Sequence, residues 1–196
     1  MKNFVYLASQ SQRRRQLLTQ IGIQYELLLA GPEEDSEALE TVMPGELPLT
    51  YVKRVTQLKL DAAVSRMRQR GLSNAPILCA DTTVALGRHI LGKPEDAKDA
   101  LRMIKMLSGQ THRVLTAVAV ASNRKRAICV SVSQVTFASM KLADIKSYIA
   151  SGEPMGKAGA YGVQGLAATH ISEIKGSYSG IMGLPLFETA QLLKQI

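Results

Sequence analysis

Ser9, Ser11, Arg13, Arg14 and Arg15 stand within seven residues of one another, where the apolar run FVYLA gives way to ASQSQRRRQLLTQIG. The second stretch reads as a helix from about Ser11 to Ile21, with Leu17, Leu18 and Ile21 on one face and Gly22 as its stop. Cations at a helix start oppose the macrodipole, which favours anions there by roughly 0.3–1 kcal/mol. An anionic ligand would resolve the conflict. On a wheel of about 100° per residue, Arg14 falls on the inward stripe, Arg13 at its edge, and Arg15 on the far side. A strand, a serine corner and free first-turn N–H groups form a ready anion site, and arginine suits bidentate phosphate contacts. The competing reading is an N-cap serine with surface arginines whose stems lie along the apolar face.

Six further positions invite the same question. PILCAD ends an apolar run in Asp81, and ligands of open α/β sheets bind beyond the carboxyl ends of strands. An acid placed there binds a metal, orients water or takes a proton, or else caps a turn. Lys59 shares a helix stripe with Val52, Val55 and Ala62, so it points into the same site or extends out to water. GRHILGK, residues 87–93, has the spacing of a Walker A loop, but Pro94 stands where a magnesium-binding Ser or Thr is required. Lys93 remains able to meet a phosphate as a point charge. Gln164 lies in GKAGAYGVQG, where Gly156, Gly159, Gly162 and Gly165 fall three apart. Its amide both donates and accepts, as a nucleobase edge requires, and the glycines would let backbone approach a ligand or make a tight connector. Glu33 and Glu34 follow the second strand and offer metal-binding oxygens, with Glu34 the candidate metal ligand, or form a plain surface pair.

The elements that must position these residues are legible in outline. Strands are expected over 4–8, 25–30, 76 to about 81 with a hairpin arm beyond, 113–121, 127–137 and 166–174. Helices are expected over 49–70, from Pro94 or Glu95 to Gly109, over 142–151, and over 184–195. This mix predicts a single α/β domain over residues 1–196, a mixed twisted sheet flanked by helices. The net charge is +8, which attracts polyanions and phosphorylated small molecules alike. The clusters RMRQR (66–70) and RKR (124–126) read as solvated surface. Cys79 and Cys129 read as buried reduced thiols, and three scattered histidines lack metal-ligand spacing. No apolar run approaches the ~18 residues of a membrane span, and FVYLA is shorter than a signal-peptide core of about 7–15 residues, so a cytoplasmic location is expected.

Taken together these blocks resemble the Maf family of nucleotide pyrophosphatases over nearly the full length. The resemblance rests on LASQSQRRRQL (7–17), EE (33–34), YVKRV with Lys59, ADTTV (80–84), GKP (92–94), SGQTHRVLTAVAV (108–120), KAGAYGVQG (157–165) and GSYSGIMGLPLFET (176–189). Among the subgroups the similarity points to the dTTP/UTP pyrophosphatases. It implies hydrolysis of a nucleoside triphosphate to the monophosphate and pyrophosphate with a divalent cation, Mg or Mn, in an elongated two-lobed α/β fold with a central cleft. Asp81 corresponds to the family's general base. Arg13, Thr82 and Gln164 correspond to its base-selecting positions, in the pattern of the pyrimidine subgroup. Ser9, Arg14, Lys59 and Lys93 are then the expected phosphate ligands, with a homodimer among the expected assemblies. Gln10 and Gln12 replace the family's usual Gly and Pro, which affects pre-organisation of the corner rather than its charge.

Two rival readings are carried forward. One is a nucleic-acid-binding or septation-regulatory module using the positive charge. Six Tyr and three Phe, not interleaved with basic residues, supply few stacking platforms for that. The other is a house-cleaning pyrophosphatase for non-canonical purine triphosphates.

Overall fold

The computed structural model describes residues 4–35 and 38–196. Its strands are β1 (Phe4–Leu7), β2 (Gln24–Leu27), β3 (Ile77–Leu86), β4 (His89–Leu91), β5 (Thr111–Ser122), β6 (Lys125–Phe137) and β7 (Ile171–Lys175). The helices are α1 (Gln12–Gln20), α2 (Pro48–Gln69), α3 (Ala97–Leu107), α4 (Leu142–Ala150), α5 (Tyr178–Ile181) and α6 (Leu186–Lys194). The strands form one sheet in the order β2-β1-β3-β5-β6-β7, with β4 added to β3. β1 pairs in parallel with β2 and β3, and the remaining pairs are antiparallel. The expected mixed sheet flanked by helices is therefore present.

The first three helices have a chemical reason for where they start. Ser11 caps α1 by accepting the Arg14 N–H. Pro48 stands in the first turn of α2, where its missing N–H removes nothing. Asp96 caps α3 by accepting from Asp99 N at 2.7 Å, so that helix opens later than Pro94 or Glu95. α2 seals one face of the sheet with Val52, Val55, Leu60 and Ala63, all buried. Burying each large aliphatic side chain contributes about 1.5–3 kcal/mol. The other face carries the larger core, in which Leu17, Leu18, Leu78, Val118, Ile104 and Leu184 pack together.

β3 departs from expectation in the way that matters most. It runs unbroken through Asp81, which pairs with Ala117 of β5, so Asp81 sits mid-strand rather than at a strand end. The carboxylate is reachable because the other edge of β3 is uncovered there. β1 pairs with β3 only through Tyr6–Ile77 and Leu7–Leu78, and β4 takes up pairing at Val84. Residues 79–83 thus face a gap where a parallel partner ends and an antiparallel one begins. Strand alternation sends Cys79, Asp81 and Thr83 toward α2, and Ala80, Thr82 and Val84 toward α1 and the C-terminal segment. At an open edge both faces reach the same cleft.

Other corrections are local. Residues 166–170 form a 3-10 turn, and only Ile171–Lys175 is strand. The polar GSYSGIMG segment contains α5, whose cap Ser177 accepts from Gly180 N. Arg66 is buried, whereas Arg124, Lys125 and Arg126 are exposed as expected. Cys79 is buried and Cys129 half-buried, and both are free thiols. Ile21 is exposed, because the packed stripe of α1 ends at Leu18. No helix among the described residues is long and apolar enough to cross a membrane.

Candidate active site

A cleft of about 890 Å³ opens at the uncovered edge of β3. It brings together Ser9, Arg13, Arg14, Lys59, Asp81, Thr82, Lys93 and Gln164, from segments far apart in the chain. Glu34 does not line it.

The arginine corner is built by the chain turning off β1. Arg14 reaches across to the C-terminal segment and donates from Nε to Gly183 O at 2.7 Å. Its Nη1 donates to Ser9 Oγ at 3.1 Å and its Nη2 to Thr82 Oγ1 at 3.4 Å. Three partners from three segments fix the guanidinium plane. Burial pulls Arg14 below its ordinary range, and Asp81 opposes that shift. Arginine starts so high that it remains charged. Arg13 donates to Met182 O at 3.3 Å, while Arg15 turns back to Gln10 O, as its place on the wheel requires. Thr82 in turn meets Thr116 Oγ1 at 3.0 Å, and that buried hydroxyl donates to Gly180 O at 2.6 Å.

The acidic centre is built by α2. Lys59 Nζ donates to Asp81 Oδ1 at 2.6 Å and to Glu40 Oε1 at 2.7 Å. Lys93 Nζ donates to the other Glu40 oxygen at 3.1 Å. Burial raises the cost of charge on Glu40, yet the two lysines outweigh it and hold its carboxyl below the usual range. Tyr51 donates to Glu40 O at 2.8 Å; burial, with Asp81 and Glu40 adding to it, pushes the phenol up to about 12.

Glu34, the metal ligand expected from sequence, is committed elsewhere. Arg66 grips it bidentately, Nε to Oε1 at 2.7 Å and Nη2 to Oε2 at 2.5 Å, and holds its carboxyl down at about 2 against the opposing effect of burial. Arg66 also donates to Leu28 O at 2.7 Å, which explains why this member of RMRQR is inside. Among the described residues no group of three or more His, Cys, Asp or Glu could hold a metal by itself.

The glycine segment shapes the far wall. Gly156, Gly162 and Gly165 line the cleft, while Gly159 and Gly165 are also pressed against protein neighbours, so the segment is both a wall of the cleft and a tight connector. A Cβ on Gly159 would lie 2.8 Å from Val84 Cγ1, and one on Gly165 would lie 2.3 Å from Glu153 Oε2. Glu153 accepts from Leu166 N at 2.7 Å and Tyr148 OH at 3.1 Å, so it anchors the loop that exposes Gln164. GRHILGK is the β3–β4 hairpin, with Gly87 at φ 59 in the turn, and no helix opens at Lys93. Sequence reasoning missed Glu40, Glu153 and Lys157 in the cleft. Glu40 lies in an acidic connector where spacing singles out no residue; Glu153 precedes and Lys157 lies within a glycine run in which only the glycines and Gln164 stand out by type.

Such a cleft can hold a polyanion on Arg13, Arg14, Lys59 and Lys93, with the Asp81 carboxylate facing it from the sheet. Comparison with known proteins agrees with that chemistry. Residues 4–196 match the family described as Maf-like protein. The dTTP/UTP pyrophosphatase of Albidiferax ferrireducens is 64% identical over 194 residues, covering 99% of this chain and 97% of that protein. The dTTP/UTP pyrophosphatase of Polaromonas sp. is 65% identical over 192 residues, covering 98% and 95%. That of Cupriavidus pinatubonensis is 62% identical over 195 residues, covering 100% and 98%. On the extent of that match, which includes every strand of the sheet and every wall of the cleft, the chain belongs to the Maf-like protein family.

Proposed function

We propose that the chain hydrolyses dTTP and UTP to the nucleoside monophosphate and pyrophosphate. What carries the reading is the convergence of Arg14, Lys59 and Lys93 around Asp81 in one cleft, in a chain over 60% identical to proteins named for that activity. The phosphate chain lies along Ser9, Arg14, Lys59 and Lys93. Lys59 occupies Asp81 Oδ1, which leaves Oδ2 to accept a proton from water. The water oxygen bonds to the α-phosphorus in line with the departing α–β bridging oxygen, which leaves on pyrophosphate. Positioning and charge stabilisation supply most of the acceleration. Arg13, Thr82 and Gln164 read the pyrimidine.

A divalent cation belongs to this reading. Mg²⁺ typically takes one or two carboxylates plus substrate phosphates. With Asp81 Oδ1 held by Lys59 and Oδ2 given to the water, and Glu34 spent on Arg66, the ion would rest chiefly on the phosphate oxygens of the substrate. When bound, the ion neutralises charge on the phosphate chain.

A nucleotide panel with pyrophosphate detection tests the proposal. dTTP and UTP are expected to be turned over fastest, with equal yields of monophosphate and pyrophosphate. Gln164→Ala is expected to narrow the gap between dTTP and ITP more than it lowers the rate on dTTP. Preference of the wild-type protein for ITP, or release of orthophosphate, would overturn the reading.

A further inference from the structure

Glu40 is an acid in a site built for an acid's ligands. Its two carboxylate oxygens bridge Lys59 and Lys93, at 2.7 and 3.1 Å, and all three residues line the cleft. A carboxylate spanning two ammonium groups presents two anionic oxygens as a phosphoryl group does. The main chain around it is held independently of those lysines. Tyr51 donates to Glu40 O, and Arg54 Nη2 donates to Thr41 O at 2.9 Å. Beyond, Arg54 grips Glu46 with Nε–Oε1 and Nη2–Oε2 both at 2.7 Å. Residues 40–46 are thus held at Glu40 O, Thr41 O and Glu46, so the carboxylate can leave the lysines by side-chain rotation alone.

We infer that Glu40 is a resident competitor for the phosphate subsite: it occupies Lys59 and Lys93 in the free protein, is displaced by the phosphate chain of the nucleotide, and returns as pyrophosphate departs. This rests on the reading that these lysines hold the phosphates. The device selects for highly charged chains, because a ligand must outcompete a carboxylate already in place. It also keeps Lys93 paired between turnovers, while Lys59 retains Asp81 whether or not Glu40 is in place.

Inorganic pyrophosphate, titrated calorimetrically without metal into the wild type, Glu40→Gln and Glu40→Ala, reads the competition directly. Both variants are expected to bind it about three- to tenfold more tightly, the scale of releasing two partly exposed ion pairs. The KM for dTTP is expected to fall in parallel. Unchanged or weaker pyrophosphate binding in both variants would overturn the inference, and would leave Glu40 as a residue that merely positions the lysines. Lys93→Ala, made in the Glu40→Ala background, separates this from the underlying reading. Weaker pyrophosphate binding there supports Lys93 as a phosphate ligand whatever Glu40 does. No loss there would overturn the phosphate subsite itself.

Discussion

At the scale of single residues, the cleft is defined by which charges already have partners. Lys59 holds Asp81 and Glu40, Arg14 holds Ser9, Thr82 and Gly183, and Glu34 is taken by Arg66. The last pair is structural, and it makes a prediction about acid stability. The Glu34 carboxyl lies at about 2 in the folded protein against 4.5 for a free glutamate. Its folded-state value is depressed, so the stabilisation is complete above about pH 4.5 and is lost as pH falls through about 2. The pair is partly solvent-screened, so Glu34→Gln is expected to cost on the order of 1 kcal/mol at pH 7. The gap between variant and wild type in urea denaturation should close between pH 4.5 and 2. A gap of constant size across that range would remove the ion pair as its cause. Arg66 shows why such a pairing escapes a reading of sequence: RMRQR looks like a solvated run, and only the fold brings the 31–35 turn over it.

At the scale of elements, local signals served well where they were self-contained. Ser11 before α1, Gly109 after α3 and the long β5–β6 hairpin are all readable, because capping and turn chemistry act within a few residues. Asp81 was picked out for the wrong geometric reason. An apolar run closing on a carboxylate looks like a strand end, whereas β3 continues because Val84, Ala85 and Leu86 pair with β4 and β5. The gap that exposes Asp81 is made by β1 stopping at Leu7, a tertiary fact with no local signature. The glycine spacing leaves open a ligand-facing backbone or a tight connector, and the fold shows the segment bent around Val84 and Glu153 while lining the cleft. Gly159 is the sharpest test of that packing. It has φ +67, and a Cβ there meets Val84 at 2.8 Å. Gly159→Ala is expected to lose about 1–3 kcal/mol of stability by urea denaturation and to raise the KM for dTTP, since the same segment presents Gln164. An alanine variant of wild-type stability would mean the loop yields freely and does not set the far wall.

At the scale of the whole molecule, the sheet acts as a frame that collects charge from both of its faces. α2 delivers Lys59 from one side, and α1 with the C-terminal turn delivers Arg14 and Arg13 from the other. The β4 hairpin delivers Lys93, and the segment after α4 delivers Gln164. The net charge of +8 then draws a nucleotide toward a cleft that is itself cationic. Asp81 stands at the meeting point of these deliveries, and the account requires it to act in turnover rather than in holding the substrate. Asp81→Asn keeps the shape and removes the proton acceptor, so its kcat on dTTP against its binding of the nucleotide is the deciding comparison. The account predicts a kcat lower by roughly 10²–10⁴-fold with a dissociation constant for dTTP within a fewfold of wild type; near-normal turnover, or loss of binding with kcat preserved, would contradict it.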